Sequence, residues 1–288
     1  MRVDTLAPMP SASASQWHAA AALHQAAVRL HNLTVSYRQR PVLHHLSGEF
    51  AMGSLTAVVG PNGSGKSTLL KSMANLLPLG AAYARNAVQV QVARPHIAYL
   101  PQHSEIDRQF PMAVHDCVLL GMWAHRGALG GASAAMLAAV DAALRTVGMQ
   151  GFARQPIAAL SAGQLQRVLF ARLLVQDAQL ILLDEPFTAI DASTTAGLLR
   201  LVRRWHQQGR TVVAVLHDDA QVQAHFPDTL LLAREPVAWG ATPQVMTAAN
   251  LQRARALADA WDASTERDAP WCEVDHTVHP GAAPAQTL

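Results

Sequence analysis

The stretch Leu55-Thr56-Ala57-Val58-Val59-Gly60-Pro61-Asn62-Gly63-Ser64-Gly65-Lys66-Ser67-Thr68 runs an apolar strand straight into a glycine-rich turn that closes on Lys-Ser. Gly60, Gly65, Lys66 and Ser67 match G-x-x-x-x-G-K-[ST], the spacing of a loop whose backbone N–H groups cradle phosphates. Gly63 adds freedom inside the loop, so that several N–H groups can point inward together. Lys66 is expected to neutralise β/γ-phosphate charge and Ser67 to offer its hydroxyl to Mg²⁺. A helix predicted over residues 66–77 aims its positive end at the same phosphates. The context supports this on both sides: Val58 and Val59 close a buried-type strand, and Leu69, Leu70, Met73, Leu76 and Leu77 recur at helical spacing.

With 288 residues, half of them apolar, the chain can bury a core of about two domains, or of one large α/β domain with an inserted lobe. Its 22 Lys and Arg against 20 Asp and Glu leave a net charge of +2 with no basic face, so nucleic acid is not an expected partner. Cys117 and Cys272 have neither disulfide-framework nor zinc-site spacing. No apolar run approaches the roughly 18–20 residues that cross a bilayer. Residues 17–23 imitate the apolar part of a signal peptide, but only Arg2 supplies positive charge, Pro8 and Pro10 break the start, and His18 and His24 interrupt the run. Residues 1–27 are read as a disordered or weakly helical extension, and the Pro- and Gly-containing residues 266–288 as a disordered tail.

Between these ends, residues 28–37 suggest an edge strand and 42–50 a second, forming a small antiparallel sheet. Further strands are expected at 88–92, 97–100, 180–184, 211–216, 229–232 and 237–239. Helices are expected at 163–175 and 193–207, with terminal helices over 243–257. From about 104 to 160 the pattern is helical, over 114–123 and 133–147, and reads as an inserted lobe. The alternation of strands and helices predicts an α/β fold with a mainly parallel sheet and ligands at the carboxyl ends of its strands. The phosphate loop, Asp184-Glu185 and His217 all fall at such ends. Asp184 is expected to bind Mg²⁺, and Glu185 to orient and deprotonate an attacking water. Ser161 and the Gly163 backbone open a helix and form a second anion-binding N-terminus.

Leu160-Ser161-Ala162-Gly163-Gln164-Leu165-Gln166-Arg167 resembles the signature peptide of ATP-binding cassette (ABC) proteins, with Ala162 where the commonest signature has glycine. The resemblance extends over about residues 28–245. It includes Tyr37 at the adenine-stacking position, the phosphate loop from Gly60 to Thr68, Gln102 in Tyr-Leu-Pro-Gln, Leu-Leu-Leu-Asp184-Glu185-Pro, Asp191 at the D-loop and His217 at the switch histidine. It implies a P-loop NTPase fold with a RecA-like core, a small antiparallel β-subdomain and an inserted helical lobe. It also implies that ATP and Mg²⁺ are bound, the metal by Ser67, Gln102 and Asp184, and that Glu185, His217 and Gln102 serve hydrolysis. Two cassettes, identical in the simplest case, would pack head to tail. Ser161, Gly163 and Gln164 of one would then close on the nucleotide held by Lys66 of the other, and Asp191 would communicate across the interface.

Residues 101–121, with Pro101-Gln102, Ser104, Ile106-Asp107, Phe110-Pro111, Val114 and Asp116 to Gly121, resemble the zinc/manganese-type metal importers. In that group this region faces a separate membrane permease. The cassette works at the cytoplasmic face of the inner membrane, and an extracytoplasmic binding protein takes part indirectly. A siderophore or haem importer and a soluble ABC ATPase uncoupled from transport remain the alternatives. The group Cys272, Asp275, His276 and His279 is read as solvated tail, and His31, His44, His45, His96, His103, His115 and His125 as ordinary surface or lobe residues.

Overall fold

The computed structural model describes residues 25–264, except 39, 79, 84, 94–95, 103–106, 126–130 and 189. Strand β1 (Ala26–Tyr37) pairs antiparallel with β2 (Arg40–Ala51). Then follow β3 (Leu55–Val59), α1 (Lys66–Ala74), β4 (Ala81–Tyr83), β5 (Val88–Val90) and β6 (Ile97–Leu100). The expected edge strand is in fact central to its sheet, because β4 and β5 both pair with the side of β1 that β2 leaves free. Two strands of three residues carry no readable periodicity, so residues 81–83 escape sequence reasoning altogether. Ala26 and Ala27 belong to β1 and are buried, which places the start of the sheet before residue 28. The remaining expectations for the N-terminal extension and the tail, Cys272 and the tail histidines included, lie outside the described residues.

Helix α1 is shorter than its apolar spacing suggests. Asn75 adopts a left-handed φ of 55° and its N–H is directed at the carbonyls of Lys71 and Ser72, which ends the helix before Leu76 and Leu77. Leu76 is accordingly 53% exposed.

Beyond β6 the chain leaves the sheet for a helical lobe of α2 (Val114–Leu119), a 3₁₀ turn at Leu120–His125, and α3 (Ala134–Thr146), whose N-cap Ser133 accepts the Met136 N–H. It returns along α4 (Ala162–Gln176) into β7 (Leu180–Asp184). The rest of the core is α5 (Ala192–Gln207), β8 (Thr211–Val215), α6 (Asp219–His225), β9 (Asp228–Ala233), β10 (Glu235–Ala241), α7 (Thr242–Val245) and α8 (Ala248–Ser264). The six-stranded sheet has the order β10-β9-β3-β8-β7-β6, parallel throughout except for the β9–β10 pair.

Every residue of β3, β7 and β8 is buried, which explains why these strands read as unbroken apolar runs. Alternation then sorts their side chains into two cores. Leu55, Ala57, Ile181, Leu183, Val212 and Ala214 join the helical-lobe side, where Phe170 of α4 stacks on Trp205 of α5 with centroids 5.7 Å apart. Val58, Leu180, Leu182, Val213 and Val215 join α1 and the small sheet on the other face. The small sheet is locked to β10 by Phe50 against Trp239.

Candidate nucleotide site

The phosphate loop leaves β3 at the carboxyl edge of the parallel sheet. Gly60 and Gly65 are required there by close approach as well as by conformation. A Cβ at Gly60 would sit 1.9 Å from the Leu232 carbonyl oxygen, and one at Gly65 would sit 2.5 Å from Leu43 Cδ2 and from the Val42 carbonyl oxygen. Asn62 and Gly63 form the exposed tip, whereas Ser64 and Lys66 are buried and Pro61, Ser67 and Thr68 are intermediate. Lys66 Nζ donates to the carbonyls of Gly60 at 2.9 Å and Pro61 at 2.8 Å. Burial lowers the pKa of this ammonium, opposed by the carboxylates of Glu185 and Asp184. The Ser64 hydroxyl is buried with no hydrogen-bond partner among the described residues, so the cradle holds an unused polar group.

Asp184 ends β7 beside the loop and is 1% exposed. Ser67 Oγ donates to its Oδ1 at 2.9 Å, and the Tyr99 hydroxyl donates to its Oδ2 at 3.3 Å. The parallel register sets Tyr99 opposite Leu182, on the same face as Asp184 two residues on, so the phenol reaches along the strand to the carboxylate. Sequence reading quoted Tyr99 only as a letter of Tyr-Leu-Pro-Gln. Its signal was that position on β6, legible only once the strand pairing is known.

Glu185 stands in the left-handed region at φ 49°, a conformation that costs a non-glycine residue about 1–3 kcal/mol. The turn places its Oε1 2.8 Å from His217 Nε2 at the end of β8, and Thr188 Oγ donates to its Oε2 at 3.3 Å. Burial pushes the Glu185 carboxyl up. Hydrogen bonds from His217 and Gln102, the charge of His217 and the Thr188 hydroxyl outweigh that, so the net shift is downward. Gln102, Asp184, Glu185 and His217 therefore converge beside the phosphate loop.

Ser161, Gly163, Gln164 and Asp191 form a separate cluster. Ser161 caps α4 in a reciprocal box: its Oγ accepts from Gln164 N, and Gln164 Oε1 accepts from Ser161 N. Ala162 is an ordinary right-handed first residue of that helix and is absent from the positive-φ positions, so its methyl group meets no backbone strain here. Asp191 caps α5: Oδ1 accepts from Thr194 N at 2.9 Å and Ser193 Oγ at 2.6 Å, and Oδ2 from Thr194 Oγ1 at 2.7 Å. These donors hold its carboxyl far below the usual carboxylate range. Asp191 is thus engaged within its own chain. Arg167 of α4 donates to the same Thr194 hydroxyl at 2.6 Å.

One contact joins the two clusters, and a second anchors the start of α4 to residue 108. The buried Gln166 side chain donates to the Pro186 carbonyl at 2.7 Å, tying the signature helix to the turn that holds Glu185. Arg108 donates to the carbonyl of Leu160, just before Ser161. Tyr37 ends β1 in the hairpin whose returning strand lays Val42 and Leu43 against Gly65. The far end of α8 also reaches the loop: Trp261 lies 5.4 Å beneath Arg234, whose N–H donates to the Ser64 carbonyl at 3.1 Å.

A strand–loop–helix phosphate cradle, with an acidic strand end bonded to the loop's serine in a mainly parallel sheet, defines a P-loop nucleoside triphosphatase. Residues 43–188 match the ABC transporter family, and the chain belongs to that family of ATP-hydrolysing cassettes. It is 42% identical over 234 residues to the manganese transport system ATP-binding protein MntB of Listeria monocytogenes, covering 78% of this chain and 94% of that relative. It is 39% identical over 229 residues to the zinc transport system ATP-binding protein TroB of Treponema pallidum, covering 79% of this chain and 86% of that relative. Among solved structures, a metal-chelate type ABC transporter in an inward-facing conformation superposes with a TM-score of 0.69 and 29% identity, over 81% of this chain and 90% of that one. An ATP-binding cassette in its ADP conformation, at TM-score 0.63 and 19% identity over 81% and 99% of the two chains, shares the fold.

Proposed function

We propose that this chain is the ATP-hydrolysing subunit that energises import of zinc or manganese through a separate membrane permease. The observation that carries the motor reading is the Glu185 carboxylate, held by His217 and Gln102 one residue beyond an Asp184 that is itself bonded to the phosphate-loop serine. The cargo reading is supported by the manganese and zinc transport systems to which the chain is similar.

In this reading the loop N–H groups from Gly60 to Thr68 and the Lys66 ammonium bind the phosphates, and the adenine stacks on Tyr37. Ser67, Asp184 and Gln102 are an all-oxygen donor set at the loop, which suits Mg²⁺. Bound there, the ion would neutralise charge on the transferred phosphoryl group. Glu185, ionised because its hydrogen bonds outweigh its burial, accepts the proton of the attacking water, and His217 fixes its orientation. Ser161, Gly163 and Gln164 present the α4 N-terminus to nucleotide held by a second copy of the chain. Gln166 and Arg108 mechanically link that helix to Glu185 and to the permease-facing region.

Among the described residues no helix is long and apolar enough to cross a membrane. Phe110 and Trp123, 53% and 59% exposed on the lobe, offer an apolar contact to a permease at the cytoplasmic face, with an extracytoplasmic binding protein supplying the metal. The deciding experiment measures zinc, manganese and iron in cells carrying Glu185→Gln at normal protein levels on metal-limited medium. Selective loss of zinc or manganese is expected; loss of iron alone would favour a siderophore or haem importer, and no change in any metal would remove the import reading.

Two smaller effects follow. Tyr37→Ala is expected to weaken ATP binding by about 1–3 kcal/mol, the range for base–aromatic stacking, in a direct binding titration. The lowered Glu185 pKa means that its ionised form stabilises the fold fully above the ordinary glutamate range, near pH ~4.3, and that this contribution is lost as pH falls through the lowered value. His217→Ala removes one donor and its charge, leaving only Gln102 and Thr188 to oppose the burial of Glu185. The acid limb of single-turnover hydrolysis should therefore move to higher pH.

A further inference from the structure

A cavity of about 490 Å³ opens between the end of α3, the first turns of α4 and the outer face of α5, away from the phosphate loop. Arg145, Arg167, Arg200 and Arg204 line it, and no acidic and no aromatic residue does. Arg167 spends one N–H on Thr194, yet among the described residues none of the four guanidinium groups pairs with a carboxylate. Arg200 and Arg204 stand one turn apart on α5, where like charges four residues apart repel.

We infer that this cavity binds a small organic bisphosphate. Guanidinium forks match phosphate oxygens bidentately, and four of them balance two phosphate dianions. The volume falls in the small-ligand range, and Leu198 and Leu201 supply an apolar wall for a short carbon skeleton. A nucleotide is the poorer fit, because no ring lines the cavity to stack on a base. The Arg167–Thr194–Asp191 chain forms the side nearest the D-loop, so an occupant would contact a residue that also holds the α5 cap.

The test is calorimetric titration of the full chain with fructose 1,6-bisphosphate as probe, after saturation with ADP and excess Mg²⁺ so that the phosphate loop is filled. Saturable binding is expected, weakened about 100-fold in the double variant Arg200→Gln/Arg204→Gln, as loss of two charge-assisted contacts implies. ADP affinity should be unchanged in that variant, which checks its folding and reports separately on the nucleotide site. Absence of saturable binding to the native chain, equal binding by the double variant, or binding that vanishes once ADP is present would each overturn the assignment.

Discussion

In Glu185→Gln, ATP still binds while hydrolysis falls by about 10²–10⁴-fold, the contribution typical of a positioned general base. The amide is nearly isosteric, so the contacts from Thr188 and Gln102 to the side chain can persist while the proton acceptor is lost. Nucleotide stays bound, and because ATP joins the two copies in the proposed sandwich, the variant should accumulate as an ATP-bound dimer. Single-turnover hydrolysis measures the first effect and size-exclusion chromatography with ATP and Mg²⁺ the second. Hydrolysis at the native rate would remove Glu185 as the base, and a purely monomeric variant would remove the head-to-tail sandwich.

Lys66→Ala should raise the ATP dissociation constant about 10–100-fold, as loss of a charge-assisted phosphate contact implies. It has a second cost. Nζ bridges the Gly60 and Pro61 carbonyls from a buried position, and its removal takes a donor from both. The loop should lose about 1–3 kcal/mol of stability, visible as a lower Tm without nucleotide. Retained affinity with a lowered Tm would assign Lys66 a structural role only.

The phosphate loop, the acidic strand end and the signature helix were legible because each is a local pattern. The spacing of Gly60, Gly65 and Lys66 is imposed by one turn, and the apolar runs of β3, β7 and β8 by burial on both faces. Helix ends were less legible. The Leu76 and Leu77 spacing continued past a left-handed Asn75 whose cap bonds stop α1 first.

What the sequence by itself determined, then, is the class of chemistry: an apolar strand running into a phosphate-binding turn, and an apolar strand ending in Asp-Glu, each a pattern encoded within a few consecutive residues although 117 positions separate Ser67 from Asp184. Tertiary structure alone decided which distant groups complete it. Tyr99 meets Asp184 only because β6 and β7 are parallel neighbours in a particular register, although 85 positions separate the two residues. Thr194, which Asp191 holds in the α5 cap, meets Arg167 only because α4 and α5 pack together, and with α3 packed on α4 four arginines from three helices gather around one cavity. Hydrogen bonds and charge act over ångströms of space, and the chain's local patterns carry no record of which distant segments folding will bring that close.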